Sequence, residues 1–131
     1  MELTQTNKQP SPRVLVADDE PVIAETLAII LRRSGFEVVV AHDGQAAVRQ
    51  AKAWQPDALV SDVMMPVMNG IDAAIEINAL LPACRIVLFS GQAATLDLQQ
   101  QAEQKGHFFE VLPKPVHPSE LLARLQGLGT A

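Results

Sequence analysis

The chain has 131 residues, 48% of them apolar and 19% charged, with a formal net charge of −5. That length suits one domain around one core, and the composition is that of an ordinary globular protein. The negative charge argues against nucleic acid as a direct partner, and no apolar run reaches the ~20 residues needed to span a bilayer.

Residues 1–11 are polar, lack the apolar core of a signal peptide, and read as a disordered lead-in. Apolar, β-rich runs then recur: Arg13–Ala17, Phe36–Ala41, Asp57–Ser61, Arg85–Phe89 and Phe108–Leu112. Near-continuous hydrophobic strands of this kind suit a parallel sheet covered on both faces. Helical patterns fill the gaps. Pro21 suits a first helical position, Ile23, Leu27, Ile30 and Leu31 share a face, and Gly35 ends that helix. Asp43 can cap a second helix with an Ala47, Ala51, Trp54 stripe that stops at Pro56. A third starts near Gly70, carries Ile71, Ile75 and Leu81, and stops at Pro82. The fourth, about Thr95 to Lys105, has a thin apolar face and closes at Gly106. The fifth follows Pro118-Ser119 with Leu121, Leu122, Leu125 and Leu128. This β-α alternation predicts an α/β, doubly wound five-stranded parallel sheet with helices on both faces and right-handed crossovers. Such sheets bind ligands beyond the carboxyl ends of their strands.

Polar residues stand where those ends fall. The first strand runs into Asp18-Asp19, the third into Asp62, the fourth into Ser90, and the fifth leads to Lys114. Three crowded carboxylates repel one another and need a counter-charge. A hard divalent ion such as Mg²⁺, which takes one or two carboxylates and keeps waters, supplies it. Lys114 adds a compact positive charge and Ser90 a hydroxyl donor. This set suits phosphoryl transfer onto a carboxylate, with Asp62 as nucleophile, because that chemistry asks mainly for positioning and charge neutralisation.

Asp18-Asp19, Asp62 followed by Met64-Met65-Pro66 and Met68-Asn69-Gly70, Ser90-Gly91 and Lys114-Pro115 together closely resemble the receiver domains of two-component response regulators. The resemblance covers residues 12–128, leaving 129–131 as a tail. It implies a flavodoxin-like fold with strand order 2-1-3-4-5. It implies that Asp62 takes a phosphoryl group from a sensor histidine kinase or phosphotransfer protein. Asp19, Asp62 and the Met64 backbone carbonyl would bind Mg²⁺ directly, and Asp18 through a metal-bound water. Ser90 would hydrogen-bond the phosphoryl group, Lys114 would pair with it, and Lys114-Pro115 would be cis. The fourth helix, fifth strand and fifth helix would then present an altered face to a downstream protein. No turnover enzyme, membrane insertion or nucleic-acid contact is expected, and the expected compartment is cytoplasmic.

One departure stands out. The family's usual aromatic, three residues before the lysine, is replaced by Val111, and the stretch from Gly106 to Lys114 is one residue longer than expected. Phe109 takes that role only if a bulge shifts the register. Two other functions compete: an aspartyl-phosphate phosphatase, disfavoured because Met64 stands where a second acid is wanted, and a receiver-like scaffold that is never phosphorylated. Bland readings suffice elsewhere. Cys84, the single cysteine, excludes an internal disulfide, suits a reducing compartment, and reads as a bystander. His42, His107 and His117 read as surface or loop residues, Asp57 as a strand start, Trp54 as helix-end packing, and Gln99-Gln100-Gln101 as a solvated face. Some of Met64, Met65 and Met68 read as core filling.

Overall fold

A computed structural model describes residues 11–91 and 95–128. Strands β1 (Arg13–Ala17), β2 (Glu37–Ala41), β3 (Ala58–Asp62), β4 (Arg85–Ser90) and β5 (Val111–Pro113) alternate with helices α1 (Pro21–Arg33), α2 (Gly44–Trp54), α3 (Gly70–Leu80), α4 (Thr95–Gln104) and α5 (Pro118–Arg124). The strands form one parallel sheet in the order β2-β1-β3-β4-β5. The doubly wound, flavodoxin-like architecture is therefore the observed one.

The strand period of two divides the core between the faces. Val14, Val16, Val60 and Phe89 pack with Leu27 and Leu31 of α1 and Leu121 of α5. Leu15, Leu59 and Leu88 pack with Ala47 and Ala51 of α2, Ile71 and Ile77 of α3 and Ala102 of α4. β3 is buried along its whole length, so it sits mid-sheet and its end is held from both sides. α2 opens on Asp43, whose carboxylate accepts from the Ala46 N–H at 2.7 Å. α3 opens likewise on Asn69, which accepts from the Asp72 N–H at 2.8 Å. Gly35 and Gly106 take positive φ (99° and 89°) after α1 and α4, as helix-terminating glycines do.

The fifth strand departs from the sequence-based expectation. It starts at Val111 rather than Phe108, and residues 107–110 carry no regular structure. β5 is an edge strand with one neighbour, and the Glu110 carbonyl reaches the Leu88 N–H only at 3.4 Å, so the ladder fades before Val111. The Phe109 carbonyl, on the side away from β4 in this register, accepts from Gln99 Nε2 at 3.0 Å. Phe108 is turned out to 75% exposure. Gln99 is therefore a tether between α4 and the β5 approach, not part of a solvated face. Pairing then runs without a bulge, Leu88 with Val111, Phe89 with Leu112 and Ser90 with Pro113. Phe109 stays beside His107, ring centroids 6.1 Å apart, and the position level with Leu88 belongs to half-buried Val111.

At the amino edge, Asp57 lies just before β3 and accepts from the Arg13 N–H at 2.8 Å, joining two strands. Arg13 also sits 5.5 Å over the half-buried Trp54 ring and donates to the Trp54 carbonyl at 2.8 Å. Cys84 is buried, and its thiol is pushed up to about 11, first by burial and then by the Asp57 charge, so it stays protonated and inert at neutral pH. Met65 is buried and Met68 half-buried against the core, while Met64 is exposed.

Candidate functional site

Parallel pairing carries every strand's carboxyl end to one edge. Ala17 is level with Ala41 and Ser61, and Asp62 with Phe89. Asp18, Asp19 and Asp62 therefore meet, and one carboxylate oxygen from each lies within 4.8 Å of the others. They are not equivalent. Asp18 is fully buried, Asp62 is 4% exposed and Asp19 faces solvent.

Asp18 is held from several sides. Its N–H donates to the Ala41 carbonyl at 3.1 Å, and its Oδ1 accepts from the Glu20 N–H at 2.9 Å. His42, exposed on the surface as expected, places Nδ1 3.1 Å from the Asp18 carbonyl. Asp18 Oδ2 is the one buried side-chain polar atom without a partner among the described residues. Burial, then the negative charges of Asp62 and Asp19, raise the Asp18 carboxyl above its usual range, against the pull of the Glu20 N–H and Lys114.

Asp62 splits its oxygens. Oδ2 accepts from Lys114 Nζ at 2.9 Å, and Oδ1 from the Met64 N–H at 3.3 Å. Burial works against the Lys114 charge, but the hydrogen bond and attraction of Asp62, with help from Asp18 and Glu20, outweigh it and hold the ammonium above the ordinary lysine value. The same Nζ lies 5.6 Å over the Phe89 ring. The Lys114 N–H donates to the Ser90 carbonyl at 3.2 Å, which anchors the residue at the end of β4, and the Lys114-Pro115 peptide is cis. Ser90 is buried at the end of β4, and its Oγ lies 2.6 Å from Thr95 Oγ1.

The loop after Asp62 is packed tightly. The Gly70 N–H donates to the Val63 carbonyl at 2.7 Å, and a Cβ at Gly70 would collide with the Asp62 carbonyl. The structure thus gathers Asp18, Asp19, Asp62 and Lys114 directly and brings Ser90 to the same sheet edge. Sequence reasoning missed Thr95, His42 and Phe89. None has a motif spacing, and only the helix start at Thr95, five residues after Ser90, was a visible signal.

Residues 14–126 match the model of the response regulator receiver domain, and the chain belongs to that family. It is 36% identical over 114 residues to the DNA-binding response regulator MtrA of Mycolicibacterium smegmatis, covering 87% of this chain and 49% of that protein. It is 36% identical over 118 residues to the transcriptional regulatory protein PrrA of Mycobacterium bovis, covering 90% and 50%. The chain therefore spans about half the length of the curated relatives it matches. The Vibrio cholerae chemotaxis protein CheY4 superposes with a TM-score of 0.78 at 28% identity, covering 91% of this chain and 99% of that one. A two component transcriptional regulator AraC from Clostridium phytofermentans does so at 0.75 and 31%, covering 88% and 91%. Receiver domains of this family are signalling modules rather than general enzymes; they bind Mg²⁺ at an acidic pocket and interact with histidine kinases or phosphotransfer proteins. Among the described residues no helix is long and apolar enough to cross a membrane.

Proposed function

We propose that this chain is the phosphoacceptor of a two-component relay, with Asp62 taking a phosphoryl group from a phosphohistidine on a sensor kinase or phosphotransfer protein. The observation that carries this reading is the convergence of Asp18, Asp19 and Asp62 within 4.8 Å, with Lys114 Nζ 2.9 Å from Asp62. The donor set fits Mg²⁺: all the ligand atoms are hard oxygens, and the unpartnered Asp18 Oδ2 is an acceptor that a hydrated cation satisfies. Asp19, Asp62 and the Met64 carbonyl would hold the ion, with Asp18 acting through a bound water. When bound, Mg²⁺ supplies charge neutralisation for the incoming phosphoryl oxygens.

An Asp62 carboxylate oxygen forms the new O–P bond as the P–N bond of the phosphohistidine breaks, and the electron pair stays on the imidazole nitrogen. Lys114, already on Asp62, extends its ion pair to a phosphoryl oxygen, and Ser90 donates its hydroxyl to another. Hydrolysis of the acyl phosphate resets the site, so the chain's own chemistry is limited to gaining and losing that group. The added charge and acceptor oxygens draw in Ser90 and Lys114 and change the α4–β5–α5 face that a downstream protein binds. We assign residues 12–128 to this unit; the proposed lead and tail lie almost wholly outside the described residues.

The test is intact-mass measurement after incubation with acetyl phosphate and Mg²⁺. One hydroxylamine-labile phosphoryl adduct is expected on the native chain and none on Asp62→Asn. No adduct on the native chain overturns the reading.

A further inference from the structure

Ser90 and Thr95 form a buried hydroxyl pair across the junction of β4 and α4. Their oxygens are 2.6 Å apart, and the residues are 8% and 4% exposed. Ser90 is the residue after Phe89, which is level with Asp62, and its carbonyl accepts the Lys114 N–H. It therefore stands between the two ends of the Asp62–Lys114 pair. Thr95 is the first residue of α4, and only Thr95 and Ala102 are buried in that helix. An element with two buried residues, anchored otherwise, among the described residues, only by half-buried Leu98 and the Gln99 tether further along, is sensitive at its first turn to losing Thr95. Val111, level with Leu88, has neither ring nor hydroxyl to follow a movement of Ser90.

We propose that Thr95 is a positioning residue: it holds the Ser90 hydroxyl against α4 in the unphosphorylated state, and transfer of that hydroxyl to the phosphoryl group releases the first turn of α4. This rests on the phosphoacceptor reading above. The coupling is reciprocal, because whatever weakens the Ser90–Thr95 bond favours the state in which Ser90 serves the phosphoryl group.

The experiment compares native protein, Thr95→Val, Thr95→Ser, Ser90→Ala and the Ser90→Ala/Thr95→Val double variant, with Thr95→Ala replacing Thr95→Val if the valine disturbs folding. Two quantities are read: the rate of phosphoryl incorporation from acetyl phosphate with Mg²⁺, by intact mass, and hydrogen exchange across α4 before and after phosphorylation. Thr95→Val is expected to incorporate phosphate about two- to tenfold faster, the range one neutral hydrogen bond spans, with its first α4 turn already exchanging rapidly before phosphorylation. Thr95→Ser restores native behaviour, and Thr95→Val is silent in the Ser90→Ala background, which a merely structural role for Thr95 does not produce. A native rate and native α4 exchange in Thr95→Val, or an effect undiminished by Ser90→Ala, overturns this proposal alone. No adduct on native protein overturns the phosphoacceptor reading and this proposal with it.

Discussion

At residue scale, Asp18 and Asp19 are neighbours in sequence with opposite environments. Asp18 is fully buried with an unpartnered oxygen, and Asp19 is solvent-facing. The Asp18 carboxyl is raised in the fold, so the folded chain holds that proton more tightly than the unfolded chain does. The associated stability is fully present below the ordinary carboxylate value of 3.8 and is lost as pH rises through the raised one. At neutral pH a charged Asp18 is thus a net cost to folding without Mg²⁺. Asp18→Asn keeps an acceptor for the Glu20 N–H and gives the orphaned position a donor facing Asp62 and Asp19. Its metal-free melting temperature at pH 7 is expected to exceed the native value by a few degrees, with the gap closing as pH falls toward 4; a lower melting temperature at pH 7 contradicts this. The clustering of these acids was legible because each followed an apolar run. Their inequality was not, since burial depends on what packs above them.

At element scale, the β3–α3 loop carries backbone strain. Val67 has φ +69°, and the Met68 N–H donates to the Pro66 carbonyl at 2.7 Å around it, a positive-φ γ-turn. A β-branched residue there is an outlier whose strain is of order 1–3 kcal/mol. Its side chain is 77% exposed, so little packing is lost on replacement. Val67→Gly is expected to stabilise the fold by about 1 kcal/mol, since glycine has no Cβ to strain at positive φ and the relief exceeds its entropic cost, read as a higher urea midpoint at unchanged slope. Gly70 is the opposite case. Any Cβ there meets the Asp62 carbonyl, which cannot retreat because it ends the central strand. Gly70→Ala is expected to destabilise by about 1–3 kcal/mol, measured by the same denaturation. The Asn69-Gly70 pair was readable as a turn and helix start. The Val67 γ-turn was not, because valine gives no local signal for positive φ.

At the scale of the whole molecule, the Lys114–Asp62 ion pair ties β5 to β3 across β4, and the acid cluster joins β1 to β3. A ligand bound there holds three chain segments at once, so its free energy becomes folding free energy. Mg²⁺ is expected to raise the melting temperature saturably, with about 2.7 kcal/mol of stabilisation at a hundredfold excess over its dissociation constant. Asp19→Ala is expected to remove most of that gain while leaving the metal-free melting temperature near native, because Asp19 is exposed. Thermal scans against Mg²⁺ check both; an undiminished gain in Asp19→Ala places the ion elsewhere.

By itself the sequence determined which elements form, in what order, and which polar residues end them. Hydrophobic period, caps and prolines are local signals and act before any tertiary contact. Only the tertiary structure decided that β5 begins at Val111, that the Gln99 amide meets the Phe109 carbonyl, that Asp18 rather than Asp19 is buried, and that Ser90 meets Thr95. Each of these is a competition between partners brought together by the parallel sheet, and its winner depends on geometry that no short stretch of chain encodes.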